Sequence, residues 1–393
     1  MHNKSFNAST QFEHAVSGDF TKMDGDTFYK ISNVDQMPPF FISLVSDQDH
    51  WLFAGSTGGL SMGRVSPDKA VFPYVTVDKL YESTPHTGPK TIVKVVQDSG
   101  KSAFWEPYNR EHDDRYHVTR NLYKNLLGNV LCFEEINHDL QLSFRYSWQF
   151  SSEFGISRQC KLENLSEQTC SIEILDGLQN ILPAGTPRFT QSQSSNLVDA
   201  YKWTEVNGET GLALYTLYSA ITDRAEPVEA LRANTVFKLG LQGGTVHLTS
   251  ASLALFKAGK ALESADYSRG VRSCYLVHSQ FTMSANEVQN WSINVDVEKD
   301  QSEVVALQHA LANPNAVAEK MQQSFVEGSD KLARIMASSD GFQATGEEDV
   351  SLHHYANTLF NVLRGGIFAN QYQILRSDLI NTLKHFNIDT YQR

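Results

Sequence analysis

Between residues 140 and 183 apolar and polar positions alternate with a period of two, with two polar interruptions. Leu142, Phe144, Tyr146 and Trp148 share one side of the first run, and Gln141, Ser143, Arg145 and Ser147 share the other. A period of two places one apolar row on one face of a β-sheet. The run 155–163 carries Ile156, Cys160 and Leu162, and the run 169–175 alternates Cys170, Ile172 and Ile174 with Ser171, Glu173 and Leu175. Residues 164–168 (Asn-Leu-Ser-Glu-Gln) supply turn chemistry between them, and Asp176-Gly177 reads as the break that ends the third run. The pattern predicts an antiparallel meander.

Most of the chain before Gln301 has the same texture. Strands are expected at 40–45, 51–54, 75–80, 91–97, 102–107, 116–123, 130–136, 202–206, 210–218, 233–241, 245–255, 273–283 and 288–299. Hairpin turns are expected at 98–101, at Asn207-Gly208 and at Gln242-Gly243-Gly244. Residues 189–201, rich in Ser and Gln, read as a long loop over the sheet. At Gln301 the period changes to helical: Val304, Leu307 and Leu311, then Val317, Met321 and Phe325, then Leu332 and Ile335. Asn313-Pro314 interrupts this run, because proline starts helices rather than sitting inside them. Leu352, Tyr355, Leu359, Val362, Leu363 and Ile367 form a further stripe, and Ser377 is placed to cap a last helix carrying Ile380, Leu383 and Phe386. The expected organisation is a β domain over 1–300 and a helical segment over 301–393.

The 393 residues suffice for a large β domain plus a smaller unit, and 22 Phe with 15 Tyr favour β structure. A net charge of −12 argues against nucleic acid or an anionic membrane as partner. No apolar leader or membrane-length run is visible, and Cys132, Cys160, Cys170 and Cys274 are scattered without a C-x-x-C. Buried free thiols in a reducing cytoplasm are the expectation.

Gly55, Gly58, Gly59 and Gly63 are close together, but no Gly-Lys-Ser/Thr and no helical pattern follow, so a phosphate loop is not indicated. Bends of packed strands, or a loop that admits a ligand close to the backbone, remain. His353-His354 lacks the spacing of a metal pair, and no G-x-S-x-G elbow occurs. No catalytic residue and no metal ligand is assigned. Arg64, Asp176, Arg224, Glu226 and Arg364 are the candidates for contact with a ligand, each with an alternative as turn residue, cap or ion-pair partner.

Three stretches resemble, in order and spacing, the N-terminal part of the cellobiose-phosphorylase-like glycoside phosphorylases, formerly glycosyltransferase family 36. They are Ser56–Ser61 with Phe72-Pro73-Tyr74, Gly100–Pro107, and Arg158–Ser166 running into Ile172–Asp176. The resemblance covers roughly residues 40–300. It implies an antiparallel β-supersandwich, galactose-mutarotase-like, followed by linker helices and then an (α/α)6 barrel. In such enzymes the barrel carries the acid and binds inorganic phosphate, the co-substrate of inverting phosphorolysis. The resemblance therefore implies a non-catalytic N-terminal domain that shapes substrate access and dimer contacts, with the catalytic domain beyond Arg393 and no cofactor. Two alternatives stand beside it. One is a stand-alone carbohydrate-binding sandwich using Trp51, Trp105, Trp148 and Trp203. The other is a mutarotase-like epimerase using His247 and His278, neither of which has an evident carboxylate partner in the sequence.

Overall fold

The computed structural model describes residues 15–96, 102–193, 195–219, 221, 231–339, 341–343, 345–365 and 375–392. Its strands are β1 (Ser17–Met23), β2 (Asp26–Ser32), β3 (Phe41–Leu44), β4 (His50–Gly55), β5 (Leu60–Arg64), β6 (Gly88–Val96), β7 (Ser102–Trp105), β8 (Val118–Asn125), β9 (Leu131–Asn137) and β10 (Leu142–Ser151). There follow β11 (Gly155–Asn164), β12 (Cys170–Ile181), β13 (Lys202–Val206), β14 (Ala213–Leu217), β15 (Arg232–Gly240), β16 (Thr245–Thr249), β17 (Tyr267–Arg269), β18 (Ser273–Met283) and β19 (Val288–Asp300). Among the described residues all strand pairings are antiparallel, so the protein is mainly antiparallel β with C-terminal helices.

An eleven-stranded sheet runs β1-β2-β8-β9-β10-β11-β19-β15-β14-β13-β17. Facing it are a five-stranded sheet, β16-β18-β12-β6-β7, and a three-stranded sheet, β3-β4-β5. The main core lies between these layers. Phe144, Tyr146, Trp148, Ile156 and Ile293 come from the large sheet, Val93, Ile174, Leu178 and Tyr275 from the five-stranded sheet, and Leu52, Leu60 and Met62 from the small one. The alternation read in the sequence supplies these rows.

The predicted meander closes only in part. β10 and β11 pair in register from Leu142↔Asn164 to Ser151↔Gly155, but β12 crosses to the opposite sheet, where β6 and β18 flank it. The strand also continues through Asp176-Gly177 to Ile181 instead of turning there. A Cβ at Gly177 would lie 1.8 Å from the Tyr275 carbonyl oxygen, so glycine is needed here for strand packing, not for a bend. The stretch 233–255 is likewise no hairpin: β15 belongs to the large sheet and β16 to the five-stranded one. Helix α4 (Ala251–Lys257) then covers the outer face of the latter, with Phe256 against Ile92, Leu175 and Leu276. The Asn207 side chain accepts from the amides of Glu209 and Thr210, while Gly211, at φ 70°, takes the left-handed position expected of Gly208. The predicted turn at 98–101 lies outside the described residues.

Six further helices matter here: α1 (Val77–Glu82), α2 (Arg188–Gln193), α3 (Ser195–Tyr201), α5 (Gln301–Ala310), α6 (Pro314–Ser338) and α7 (Glu348–Gly365). Helices α2 and α3 replace the predicted loop at 189–201, held by Gln191, which bonds the Tyr74 amide and the carbonyls of Pro67 and Thr186. Asp300 and Glu303 form a reciprocal capping box at the start of α5, and Asn313 caps α6 with Pro314 in its first turn. Val317, Met321, Phe325, Leu332 and Met336 make the buried stripe of α6. It packs against Phe154, Phe237 and Leu239 on the far side of the large sheet, and farther along against Leu359 of α7. The last long helix, Arg376–Phe386, is preceded by Leu375; Ser377 lies inside it and not at its cap. All four cysteines are free, with only Cys170 partly exposed. Among the described residues no helix is long and apolar enough to cross a membrane.

Candidate functional site: a cleft at the mouth of the sandwich

Arg158 projects from β11 into the core, where its side chain is 1% exposed. An unpaired charge there would be costly, so its partners fix the local structure. Its Nη1 donates to Asp176 Oδ1 at 2.8 Å and its Nη2 to Thr91 Oγ1 at 2.9 Å. Thr91 donates to the same Asp176 oxygen at 2.6 Å, and Trp291 Nε1 donates to the other at 2.7 Å. The guanidinium lies over the Tyr146 ring, 4.6 Å from its centroid. Burial alone would loosen its proton, but Asp176 more than offsets this and Arg158 stays charged. The group ties β11 and β19 of one sheet to β6 and β12 of the other.

This floor opens into a cleft of about 540 Å³. Its walls come from the β4–β5 turn (Thr57, Gly58), the end of α1 (Tyr81, Glu82), the start of β6 (Lys90, Thr91) and the segment after β7 (Glu106–Glu111). Tyr108 has φ 66°, unusual for a bulky residue. Its amide donates to Glu135 Oε2 at 2.7 Å and its hydroxyl to the Phe144 carbonyl at 3.2 Å, and these bonds hold its ring edge-on to Tyr146 at 5.4 Å. Burial raises the phenol pKa of both tyrosines, so both stay protonated. Glu106, 2% exposed, lies between Lys90 and Lys257, the latter 2.5 Å away on α4. Burial would raise its pKa, but the two ammonium groups hold it below the usual carboxylate range. Glu106 is therefore ionised at neutral pH and unsuited to donate a proton.

The sequence candidates fall in different places. Asp176 sits beneath the cleft, in a strand and fully buried, where a turn or surface role had been the alternative. Arg64 is engaged elsewhere, bonding Asp49 at 2.8 Å and Asp296 at 3.0 Å. Arg224 and Glu226 lie outside the described residues, and of Arg364 only the backbone, on α7, is described. Of the tryptophans proposed for stacking, Trp105 and Trp148 are buried in the core; Trp51 and Trp203 are half-buried, and Trp203 stacks on Tyr267. His278 does have a carboxylate partner, Glu173 at 3.0 Å, a pairing across strands that no sequence pattern reveals. Both lie on the outer face of the five-stranded sheet with His247, on the opposite side of β12 from Asp176. Tyr108, Glu106, Lys90 and Lys257 were missed. Glu106 lies in the 100–107 stretch and Tyr108 directly follows it, and that is the signal the sequence carries.

A second cavity of about 890 Å³ lies on the other side of α1, lined by Phe41, Phe53, Tyr74, Val77 and Phe189 among others.

No family description and no curated protein matches the sequence. Among solved structures, the chain is similar to a protein assigned as a kojibiose phosphorylase from the human microbiome, at 9% identity and a TM-score of 0.38 over 85% of this chain and 35% of that one. It is similar to a bacterial glucoamylase complexed with acarbose, at 11% identity and a TM-score of 0.39 over 82% of this chain and 42% of the other. A galactose mutarotase-like protein from Clostridium acetobutylicum matches at 9% identity and a TM-score of 0.33, over 72% of this chain and 99% of that one. The chain thus spans well under half of the first two. At these values the likeness carries no argument about chemistry.

Proposed function

We propose that the cleft binds a carbohydrate, and that the chain is the non-catalytic, substrate-handling part of a glycoside phosphorylase-like enzyme. The observation that carries this reading is the junction of Tyr108 and Tyr146 with the charged Arg158 floor. Sugars present flat C–H faces and a rim of hydroxyls. The half-buried Tyr108 ring, backed by Tyr146 and set among polar side chains, suits both, in a cavity of ordinary ligand size. Glu106, buried and held ionised between Lys90 and Lys257, is not fitted to protonate a glycosidic oxygen. In this reading the general acid and the inorganic phosphate site belong to a catalytic domain of the longer enzyme, and this chain shapes substrate access and dimer contacts. The order of the 56–61, 100–107 and 158–176 stretches favours the phosphorylase class over a stand-alone binding module.

Titration calorimetry of the full chain against β-glucosides and short β-glucans tests the binding step. Saturable binding is expected, weakened about tenfold or more by Tyr108→Ala, the loss of roughly one stacking platform. Heats indistinguishable from dilution for every saccharide would end the proposal.

A further inference from the structure

Two lysines share one buried carboxylate at the wall of the cleft. Lys90 Nζ contacts Glu106 Oε1 and Lys257 Nζ contacts Oε2. The Glu106 side chain is 2% exposed, that of Lys90 16% and that of Lys257 47%, so the group grades from core to solvent. One negative charge faces two positive ones, and the surplus lies on the outer ammonium. The neighbouring charges leave this surplus in place. Arg158 is already matched by Asp176 beneath the floor. Arg110, exposed at the rim, donates to the Asp35 carbonyl, which carries no charge. Glu82 and Glu111 also line the cleft and are exposed, as Lys257 is, but among the described residues neither forms an ion pair with Lys90 or Lys257. Independently, Arg158 Nε is buried without an acceptor although the residue lines the cleft. This donor is itself covered by protein, so it marks polarity in the floor and not a contact open to a ligand.

We infer that the ligand of this cleft is a saccharide bearing one anionic group, a carboxylate or a phosphate, seated against Lys90 and Lys257 with its ring over Tyr108. The inference rests on the carbohydrate reading above and narrows it. Glu106 is the positioning residue: it holds both ammonium groups at one wall and prevents them from swinging into solvent. On a chain of net charge −12, such a wall would also select anionic sugars from a surface that otherwise repels them.

The experiment is calorimetric titration of the full chain at low salt with methyl β-glucoside, methyl β-glucuronide, glucose 6-phosphate and inorganic phosphate. One or both anionic sugars should bind at least about tenfold tighter than the glucoside, and the advantage should shrink as salt rises. The two anionic arms identify whether carboxylate or phosphate is preferred. Lys257→Met, a change at a half-exposed side chain, should bring the preferred anionic sugar and the glucoside to within about threefold. Equal affinity for glucoside and both anionic sugars would overturn the inference and leave the carbohydrate reading intact. Inorganic phosphate binding as tightly as glucose 6-phosphate would also overturn it, by showing an anion site without sugar recognition. Absence of binding by all three sugars would remove both readings.

Discussion

At the scale of single residues the protein is organised by a few buried charges whose partners come from distant strands. Asp176→Asn would leave Arg158 charged in the core with a neutral partner. A loss of about 3–5 kcal/mol in urea unfolding is expected, and a loss below about 1 kcal/mol would show that the pair does not hold the sheets together. His50 offers a pH test. Burial, reinforced by Arg64, lowers its pKa from 6.5 to about 4. The unfolded chain therefore binds a proton that the folded protein refuses, and stability falls as pH drops from about 6.5 towards 4. The contribution is about 3 kcal/mol, and His50→Phe, which keeps the stack on Phe150, should remove it. Equal pH slopes between 6.5 and 4.5 for both proteins would contradict this. Glu134, held low by Arg145 against the pull of burial, adds acid loss only below the ordinary carboxylate range. Little of this was legible in the sequence. Arg158 and Asp176 fall on the apolar rows of their runs, with Ile156, Cys160 and Leu162 and with Cys170, Ile172 and Ile174, so the period of two faces them inward, but it does not say what pairs with them. Only the partner strands, up to 115 residues away for Trp291, supply that.

At the scale of elements the sequence was far more readable. Period two predicted β10, β11, β18 and β19 nearly to their ends, and period 3.6 predicted α6 with its stripe, because burial of one face imposes those periods whatever the topology. The failures have physical causes. Strand β12 is buried on both faces beyond Leu175, so its alternation fades where a strand was judged to stop. Helices α2 and α3 are short and carry no apolar stripe: α2 is held by the Gln191 side chain, and α3 buries Val198. Two substitutions test the elements directly. Gly177→Ala should cost more than about 2 kcal/mol, since no side chain has to move aside but the β18 backbone itself. Phe325→Ala on α6 should cost about 3–5 kcal/mol through the cavity left against Phe237 and Leu239. Unfolding midpoints unchanged from the parent in either case would show that the element tolerates slack.

At the scale of the whole molecule the helical segment is no passive tail. Helices α5 and α6 cover the far face of the large sheet, where Phe154, Leu212, Phe237 and Leu239 are buried. A chain ending after Asp300 should therefore expose that face, bind a hydrophobic dye strongly and sediment as aggregates, whereas the full chain should not. A monomeric, dye-silent 1–300 fragment would show the β layers to be self-sufficient.

The place of β19 has a further consequence in time. It is the last strand among the described residues, yet it lies in the middle of the large sheet between β11 and β15. Until residue 300 has left the ribosome, the two halves of that sheet have nothing to join them, and β11 presents an unpaired edge that ends 124 residues before β19 begins, at Asn164 and Val288. The sheet must therefore wait for β19 before its centre can close. Long-range closure of this kind is slow, and until residue 300 has emerged the open β11 edge is free to pair with a neighbour.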